Sequence, residues 1–425
     1  GNPISITHPV TVDLTPAAIT INTIATDDVI NAAEKGADLT LSGTTTNVEP
    51  GQTVTVNFGG KNYTASVASD GSWTATVPAA DLAALPEGSA SAQASVSNIN
   101  GNSASAVHNY SVDSSAPTII INTVASDNIV NASEADTGVT VSGSTTAEAG
   151  QIVTVTLNSP TVQTYQATVQ ADGSWSITIP AADLAALTDG SHTLTATVND
   201  KAGNPASTTH NLAVDLTVPV LTINTIAGDD IINAAEHGQA LVISGSSTGG
   251  EAGDIVSVTL NNKTYTTTLD ASGNWSVGVP AADVTALGSG PQTVTATVTD
   301  VAGNSDNETH TVTVNLTAPT IGINPIASDD VINATEKGAD LQISGTSNQP
   351  TGTTITVTLN GQNYTATTDA AGNWSTTVPA SAVGALGEAS YTVTANVTDS
   401  AGNSNSASHN VQVNTALPGV TINPV

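Results

Sequence analysis

An all-β fold, a tandem array of four Greek-key β-sandwich domains forming an elongated rod, follows from three observations. Markers recur together at intervals of about a hundred residues: Trp73, Trp175, Trp275 and Trp374, with Asn22, Asn122, Asn224 and Asn324, and with His108, His210, His310 and His409. Several markers moving in register define an internal repeat, and a unit of this length suits an independent β-sandwich rather than a solenoid turn. The chain is rich in Thr, Val, Ala, Ser, Asn and Gly and only 3% aromatic, a mixture that favours strands and polar turns. Alternation such as Val54-Thr55-Val56 and Thr195-Ala196-Thr197-Val198 sends successive side chains to opposite sheet faces.

Each element can be justified in order. In the first copy, strands are expected at 19–24, 39–43, 53–58, 62–67, 73–77, 90–97 and 103–112. Gly59-Gly60 and Asp70-Gly71 supply turns between them, as Asp172-Gly173 and Gly361 do later. The Pro-Ala-Ala-Asp-Leu-Ala-Ala-Leu segments at 78–85 and 180–187 form the one short helical stretch expected per copy. The domains are placed at 14–113, 114–215, 216–315 and 316–414, with 1–13 as the end of a preceding copy and 415–425 as the start of a following one. A chain of 425 residues exceeds what one hydrophobic core organises, so several domains are required.

Composition excludes several functions. Five Lys and Arg against 36 Asp and Glu give a net charge of −31, which opposes nucleic acid and anionic membranes. No apolar run is long enough for a bilayer, so no membrane insertion is expected in this segment, and no signal peptide is visible. With no cysteine there are no disulfides and no thiol chemistry. There is no Gly-x-Ser-x-Gly elbow and no phosphate-binding loop, so the chain is not expected to be an enzyme.

The sharpest chemical signal is an acidic loop found once per copy: Asp27, Asp28, Asn31 and Glu34; then Asp127, Asn128, Asn131 and Glu134; then Asp229, Asp230, Asn233 and Glu236; then Asp329, Asp330, Asn333 and Glu336. Two like charges about 4 Å apart cost on the order of 4 kcal/mol at an effective dielectric near 20. Five basic residues cannot neutralise such loops, so a hard cation with oxygen ligands, Ca2+ first, is the expected partner. Strand parity places this loop at the bottom of its domain beside the connectors Asp113, Asp215 and Asn315, with Asp13 in the matching place ahead of the first copy. The loop between the last two strands, carrying Asp200, Asp300 or Asp399, lies at the top of the following domain. Three acidic elements should therefore meet at each joint. The asparagines could ligate or could hold the turn. Two other readings stand beside this one: ligands confined to a single domain, and polar turns with helix-capping acids that bind nothing. The order of residues is not that of an EF-hand.

At these residues the chain resembles the bacterial immunoglobulin-like repeats of giant adhesins exported by type I secretion, the biofilm-associated and ice-binding adhesin extender type. The matching elements are Ile-Asn-Thr-Ile-Ala-x-Asp-Asp-x-Ile-Asn-Ala-x-Glu, Asp-Gly-Ser-Trp, Val-Pro-Ala-Ala-Asp-Leu-Ala-Ala-Leu and Asp-x-Ala-Gly-Asn. The resemblance implies immunoglobulin-like sandwiches, calcium at and near the junctions, and a calcium-rigidified extender of a bacterial surface adhesin, outside the cell. Its partners would be neighbouring repeats of the same chain in a monomeric stalk, with host, ice or biofilm ligands held by other regions. The first copy departs from the pattern, having Ser97-Asn98-Ile99-Asn100-Gly101-Asn102 in place of Asp-x-Ala-Gly-Asn. The alternatives are repeats that themselves grip a glycan or host-surface ligand, and an acidic halophile stalk holding no specific metal. The tryptophans are expected in the cores rather than as sugar platforms, with Tyr63, Tyr165, Tyr265 and Tyr364 treated alike. The single recurrent histidine per copy is too few for zinc.

Overall fold

The computed structural model describes residues 4–10, 12–158, 161–416 and 419. It divides into two compact units, Gly1–Leu216 and Thr217–Val425, each holding two β-sandwiches. In the first copy the order is β1 (Ala18–Ile19), β2 (Val29–Ile30), α1 (Ala32–Lys35), β3 (Leu39–Thr46), β4 (Thr53–Phe58), β5 (Lys61–Ser66), β6 (Ser72–Val77), α2 (Ala79–Leu82), β7 (Gly88–Ser97) and β8 (Ser103–Val112). One sheet has the order β1-β3-β6 and the other β2-β8-β7-β4-β5. The same pair of sheets recurs in the other three copies.

The alternating segments became strands because each could bury one side. In β4, Val54, Val56 and Phe58 are buried while Thr53 and Asn57 face water. Each sandwich encloses its own apolar cluster; the first contains Ile24, Ile30, Leu41, Val54, Val56, Trp73 and Leu82. Separate clusters fill the other three copies. The expected helix at 78–85 forms as α2, entered from Pro78 in extended conformation and seated on the buried Leu82.

Three features differ from the expected plan. The first strand is short: β1 spans two residues, although main-chain bonds from Thr20 to Thr44 and Asn22 to Ser42, both 2.8 Å, carry the ladder onward. An extra strand, β2, pairs parallel with the end of β8, Val29 opposite Ser111 and Ile30 opposite Val112. A turn of helix, α1, follows at once. Residues 4–10 and 12–17 form no regular element. Parts of the segments expected as flanking copies, 1–3 and 11 at one end and 417–418 and 420–425 at the other, lie outside the described residues.

A tight contact locks the strands of the smaller sheet together. Gly43 lies opposite Trp73 across the β3–β6 pair, and a methyl group at Gly43 would sit 1.9 Å from the Thr20 carbonyl oxygen and 2.7 Å from the indole. Gly143, Gly245 and Gly345 hold the same place against Trp175, Trp275 and Trp374. The four indoles are at most 3% exposed, so they are core and offer no face to a sugar. The tyrosines serve packing too. Tyr63 and Tyr265 donate to Asp81 and Asp283 on the short helices at 2.8 Å, and Tyr165 to Asp183 at 2.7 Å. Burial, then the adjacent carboxylate, pushes the Tyr63 and Tyr265 hydroxyls up to about 12 and the Tyr165 hydroxyl higher still. The fourth copy has Ala382 where the others have this aspartate.

Candidate functional site

The acidic loop begins with a sharp reversal. Asp28, Asn128, Asp230 and Asp330 all have left-handed backbones, with φ between 62° and 71°. Asp and Asn tolerate that region better than other side-chain-bearing residues. The same residue then closes the loop, since the carboxylate or amide oxygen of Asp28, Asn128, Asp230 and Asp330 accepts from the N–H of Ile24, Val124, Ile226 and Ile326 at 2.8–2.9 Å. The recurrent histidines complete the arrangement: His108 meets Asp28 at 2.6 Å, while His210–Asn128, His310–Asp230 and His409–Asp330 lie at 2.7 Å. The parallel pairing of β2 with β8 is what brings the loop to the histidine strand.

Asp27, Asp127, Asp229 and Asp329 bond the N–H two residues ahead at 2.9–3.1 Å, an Asx-type turn. Asn31 and Glu34 form a reciprocal capping box: the Asn31 side chain accepts from the Glu34 N–H at 3.0 Å, and Glu34 accepts from the Asn31 N–H at 3.0 Å. Asn131–Glu134, Asn233–Glu236 and Asn333–Glu336 do the same. The asparagines thus hold the turn, and one oxygen of each glutamate is committed to it. Much of the expected carboxylate repulsion is offset by main-chain donors and imidazole, which the charge count did not reveal.

Hydrogen bonding depresses some of these groups. The carboxyls of Asp28, Asp230 and Asp330 are held below their ordinary 3.8, first by the Ile24, Ile226 and Ile326 N–H and then by the histidine. A depressed folded value adds stability above the unfolded value, and that stability is lost as pH falls through the folded one. Acid unfolding of the Asp230→Asn variant, followed by thermal melts below about pH 4, should show a smaller pH-dependent loss than the parent. An equal loss would remove the aspartate from the account. The second copy already carries Asn128 and lacks this contribution.

Neighbouring copies within a unit meet through an asparagine that sequence reasoning did not single out. Asn204 Oδ1 accepts from the N–H of Ala32, the first residue of α1 in the preceding copy, at 2.8 Å. Its Nδ2 donates to the carbonyl of connector Asp113 at 2.9 Å and to Asp200 Oδ2 at 3.0 Å, and its N–H donates to Asp200 Oδ1 at 2.8 Å. In the second unit Asn403 accepts from Ala234 at 2.8 Å, donates to the Asn315 carbonyl at 2.9 Å, and is oriented by Asp399. The first amides of a helix have no intrahelical acceptor, and the next copy supplies one. Asp200, expected as a ligand, therefore spends both oxygens orienting Asn204, and Asp300 likewise bonds Asn304 at 2.8 and 2.9 Å. The first copy preserves the geometry with Asn98 in the aspartate's place: Asn102 bonds Asn98 Oδ1 at 2.9 Å and the Asp13 carbonyl at 3.2 Å. Asp13 also accepts from Thr15 and Asn100, and the Thr15 N–H lowers its pKa first. In the second copy Asp127 and Glu134 make the bonds that Asp27 and Glu34 make in the first, and in the third copy Asp300 holds Asn304 as Asp200 holds Asn204.

A further contact pins the connector to its own domain. The N–H of Ser114, Leu216 and Thr415 donates to Glu87 (2.9 Å), Asp189 (2.7 Å) and Glu388 (3.2 Å). The third copy has Ser289 there.

Among the described residues no three His, Cys, Asp or Glu side chains form a ready-made metal cluster. At the first joint Glu34 and Asp113 bring carboxylates, a donor chemistry that suits a hard cation, to the end where Asn204 docks, whereas Asp27 lies beside Asn109 further back along β8, and the nearby Lys35 is engaged by Glu87 and Ser114. A calcium ion needing six to eight oxygens would have to recruit carbonyl, amide or water oxygen as well.

The bacterial Ig-like domain model matches residues 116–216, 242–316 and 325–415. No curated protein matches the chain. Among solved structures, a Ca2+-stabilized adhesin that helps an Antarctic bacterium reach out and bind ice is 36% identical over 95% of this chain and 100% of its own, with a TM-score of 0.39. A second, from a 1.5-MDa bacterial ice-binding adhesin studied for host cell surface retention, is 35% identical over 72% of this chain and 100% of its own, TM-score 0.38. A tetra-tandem repeat in the extending region of a large adhesion protein is 27% identical over 94% and 100%, TM-score 0.37. With the family model spanning most of its repeats, the chain belongs to the bacterial Ig-like domain family.

Proposed function

We propose that this chain is an extender segment of a large bacterial surface adhesin, working outside the cell as a non-enzymatic spacer with domains at 14–113, 114–215, 216–315 and 316–414. The observation that carries the reading is the bridge from Asn204, repeated by Asn403, which ties one copy's loop and connector to the next. Relatives described as a Ca2+-stabilized adhesin and as an extending-region repeat support the same view. Calcium would be held by Glu34 and Asp113 at the first joint, by Glu134 and Asp215 at the second, and by Glu236 with Asn315 at the third. Glu336 and Asp13 occupy the corresponding outer positions, while Asp27, Asp127, Asp229 and Asp329, with Asp28, Asp230, Asp330 and the loop asparagines, shape the turn. The ion supplies positive charge where carboxylates face one another, and a shared ion restricts rotation between neighbours.

Calorimetric titration tests this directly. The chain should bind calcium in preference to magnesium and sodium, and its melting temperature should rise with the ion. A site filled to a hundred times its dissociation constant adds about 2.7 kcal/mol. Identical heats for calcium and magnesium, with melting unaltered by a chelator, would instead favour an acidic stalk without a specific metal.

A further inference from the structure

The two joints that lie inside a unit are not built alike. At both, an asparagine of the following copy reaches back, Asn204 to Ala32 and Asp113, Asn403 to Ala234 and Asn315. The copies also approach closely at this point. A methyl on Gly203 would lie 3.6 Å from Asn31 Nδ2, and one on Gly402 would lie 2.9 Å from Asn233 Nδ2. What differs is the hold on the connector. At the first joint Glu87 accepts from the Ser114 N–H at 2.9 Å and from the Ser114 hydroxyl, while Lys35 Nζ lies 3.3 Å from both Glu87 and that hydroxyl. The third copy keeps none of this clamp. Ser289 stands in place of Glu87 and His237 in place of Lys35, and the histidine ring is turned to the Leu287 carbonyl at 3.0 Å. Among the described residues the Leu316 N–H has no hydrogen-bond acceptor. Its side chain packs against the third core, so an apolar contact stands where the first joint has a polar one.

The far side of the same connector is tied more firmly. Asn405 Nδ2 donates to the Pro319 carbonyl at 2.8 Å, and the Thr320 N–H donates to Asn348 at 2.8 Å. The second copy has Ala206 in the place of Asn405. The last main-chain bond to the third copy runs from the Asn315 N–H to the Ile232 carbonyl at 3.0 Å. Residues 316–318 therefore lie between two anchors and are held by neither. We infer that they form a hinge, about which the third and fourth copies swing at the Asn403 contact when no ion ties the joint. A single contact point leaves two bodies free to rotate about it, and a second tether away from that point removes the freedom. Hinges take this form: a few loop residues absorb the backbone change while the packed bodies stay rigid. Segments with few hydrogen bonds are also the ones that open at least cost. A swing here breaks no strand pairing, so the fourth copy reorients under load while both sandwiches stay folded. The inference deepens the extender reading, since it says which joint yields first once calcium is withdrawn.

The test is pulsed electron spin resonance on the full chain, which has no cysteine of its own. Nitroxide pairs at Thr74→Cys with Ser176→Cys span the first joint, and pairs at Ser276→Cys with Ser375→Cys span the third; all four sites are exposed and follow the core tryptophans. In chelator the distance distribution across the third joint should be the broader one. Ser289→Glu should narrow it, and Glu87→Ser should broaden the first. Hydrogen exchange resolved to single amides gives a second readout. Corrected for intrinsic rates, the Leu316 amide should exchange at least about fivefold faster than the Ser114 amide, the protection that one typical hydrogen bond confers. Ser289→Glu should slow it by a similar factor. Equal distributions at the two joints in chelator overturn the hinge, as does a third joint whose distribution and Leu316 exchange ignore Ser289→Glu. Distributions that differ between the joints yet do not respond to calcium uphold the hinge and contradict calcium stiffening.

Discussion

Replacing Gly143 with alanine is expected to destabilise the second repeat by about 3 kcal/mol or more, at the upper end of overpacking costs. The added methyl would lie 1.9 Å from the Ile120 carbonyl oxygen and 2.5 Å from the Trp175 ring. Neither neighbour can retreat. The carbonyl belongs to a strand paired with the glycine's own, and the indole is 2% exposed in a filled core. Gly278→Ala is the internal control, because its methyl would meet nothing within 4 Å and its backbone is not left-handed. Thermal and denaturant unfolding of both variants should show a large loss for the first and a change within about 0.5 kcal/mol for the second. Equal, small effects would mean the glycine–tryptophan contact is not a constraint on the fold.

Asn204→Ala should cost on the order of 3 kcal/mol, because one truncation orphans several polar groups that are each worth about 1–3 kcal/mol when buried. Asn204 is 2% exposed and Asp200 7% exposed. The substitution strips Asp200 of a side-chain donor, the Asp113 carbonyl of its partner, and the Ala32 N–H of its acceptor. Asn204→Asp keeps the acceptor but puts a second carboxylate beside Asp200, so it should not rescue. Amide exchange read by mass spectrometry should quicken at residues 30–36 in the preceding repeat as well as at 199–205. Faster exchange confined to 199–205 would show that the asparagine closes its own turn and nothing more.

How far the sequence could be read depended on periodicity and on distance. Strands such as 53–58 and 103–112 announce themselves by alternation, and one buried face is all they need. The two-residue β2 and the four-residue α1 are too short to leave a period, although Asn31-x-x-Glu34 is itself a capping signature. The histidines were visible as a series moving in step with the acids. Their pairing with Asp28 and its equivalents was not, because it depends on a parallel strand contact between segments some 80 residues apart. In the Asp-x-Ala-Gly-Asn loop the charge drew attention to Asp200, whereas the neutral Asn204 crosses the joint. A carboxylate advertises itself by its repulsion, while an amide that both donates and accepts becomes apparent only when its partners are known.

The central claim, that calcium at the joints holds successive repeats outward, is tested most directly by small-angle X-ray scattering of the whole chain with calcium and after chelation. Strands of eight to ten residues give domains roughly 35–40 Å long, so four joined stiffly end to end should extend on the order of 150 Å. In calcium the maximum dimension should approach that length with the scattering of a stiff rod; after chelation it should shorten and show flexible links. Profiles that superimpose in the two conditions would contradict calcium stiffening.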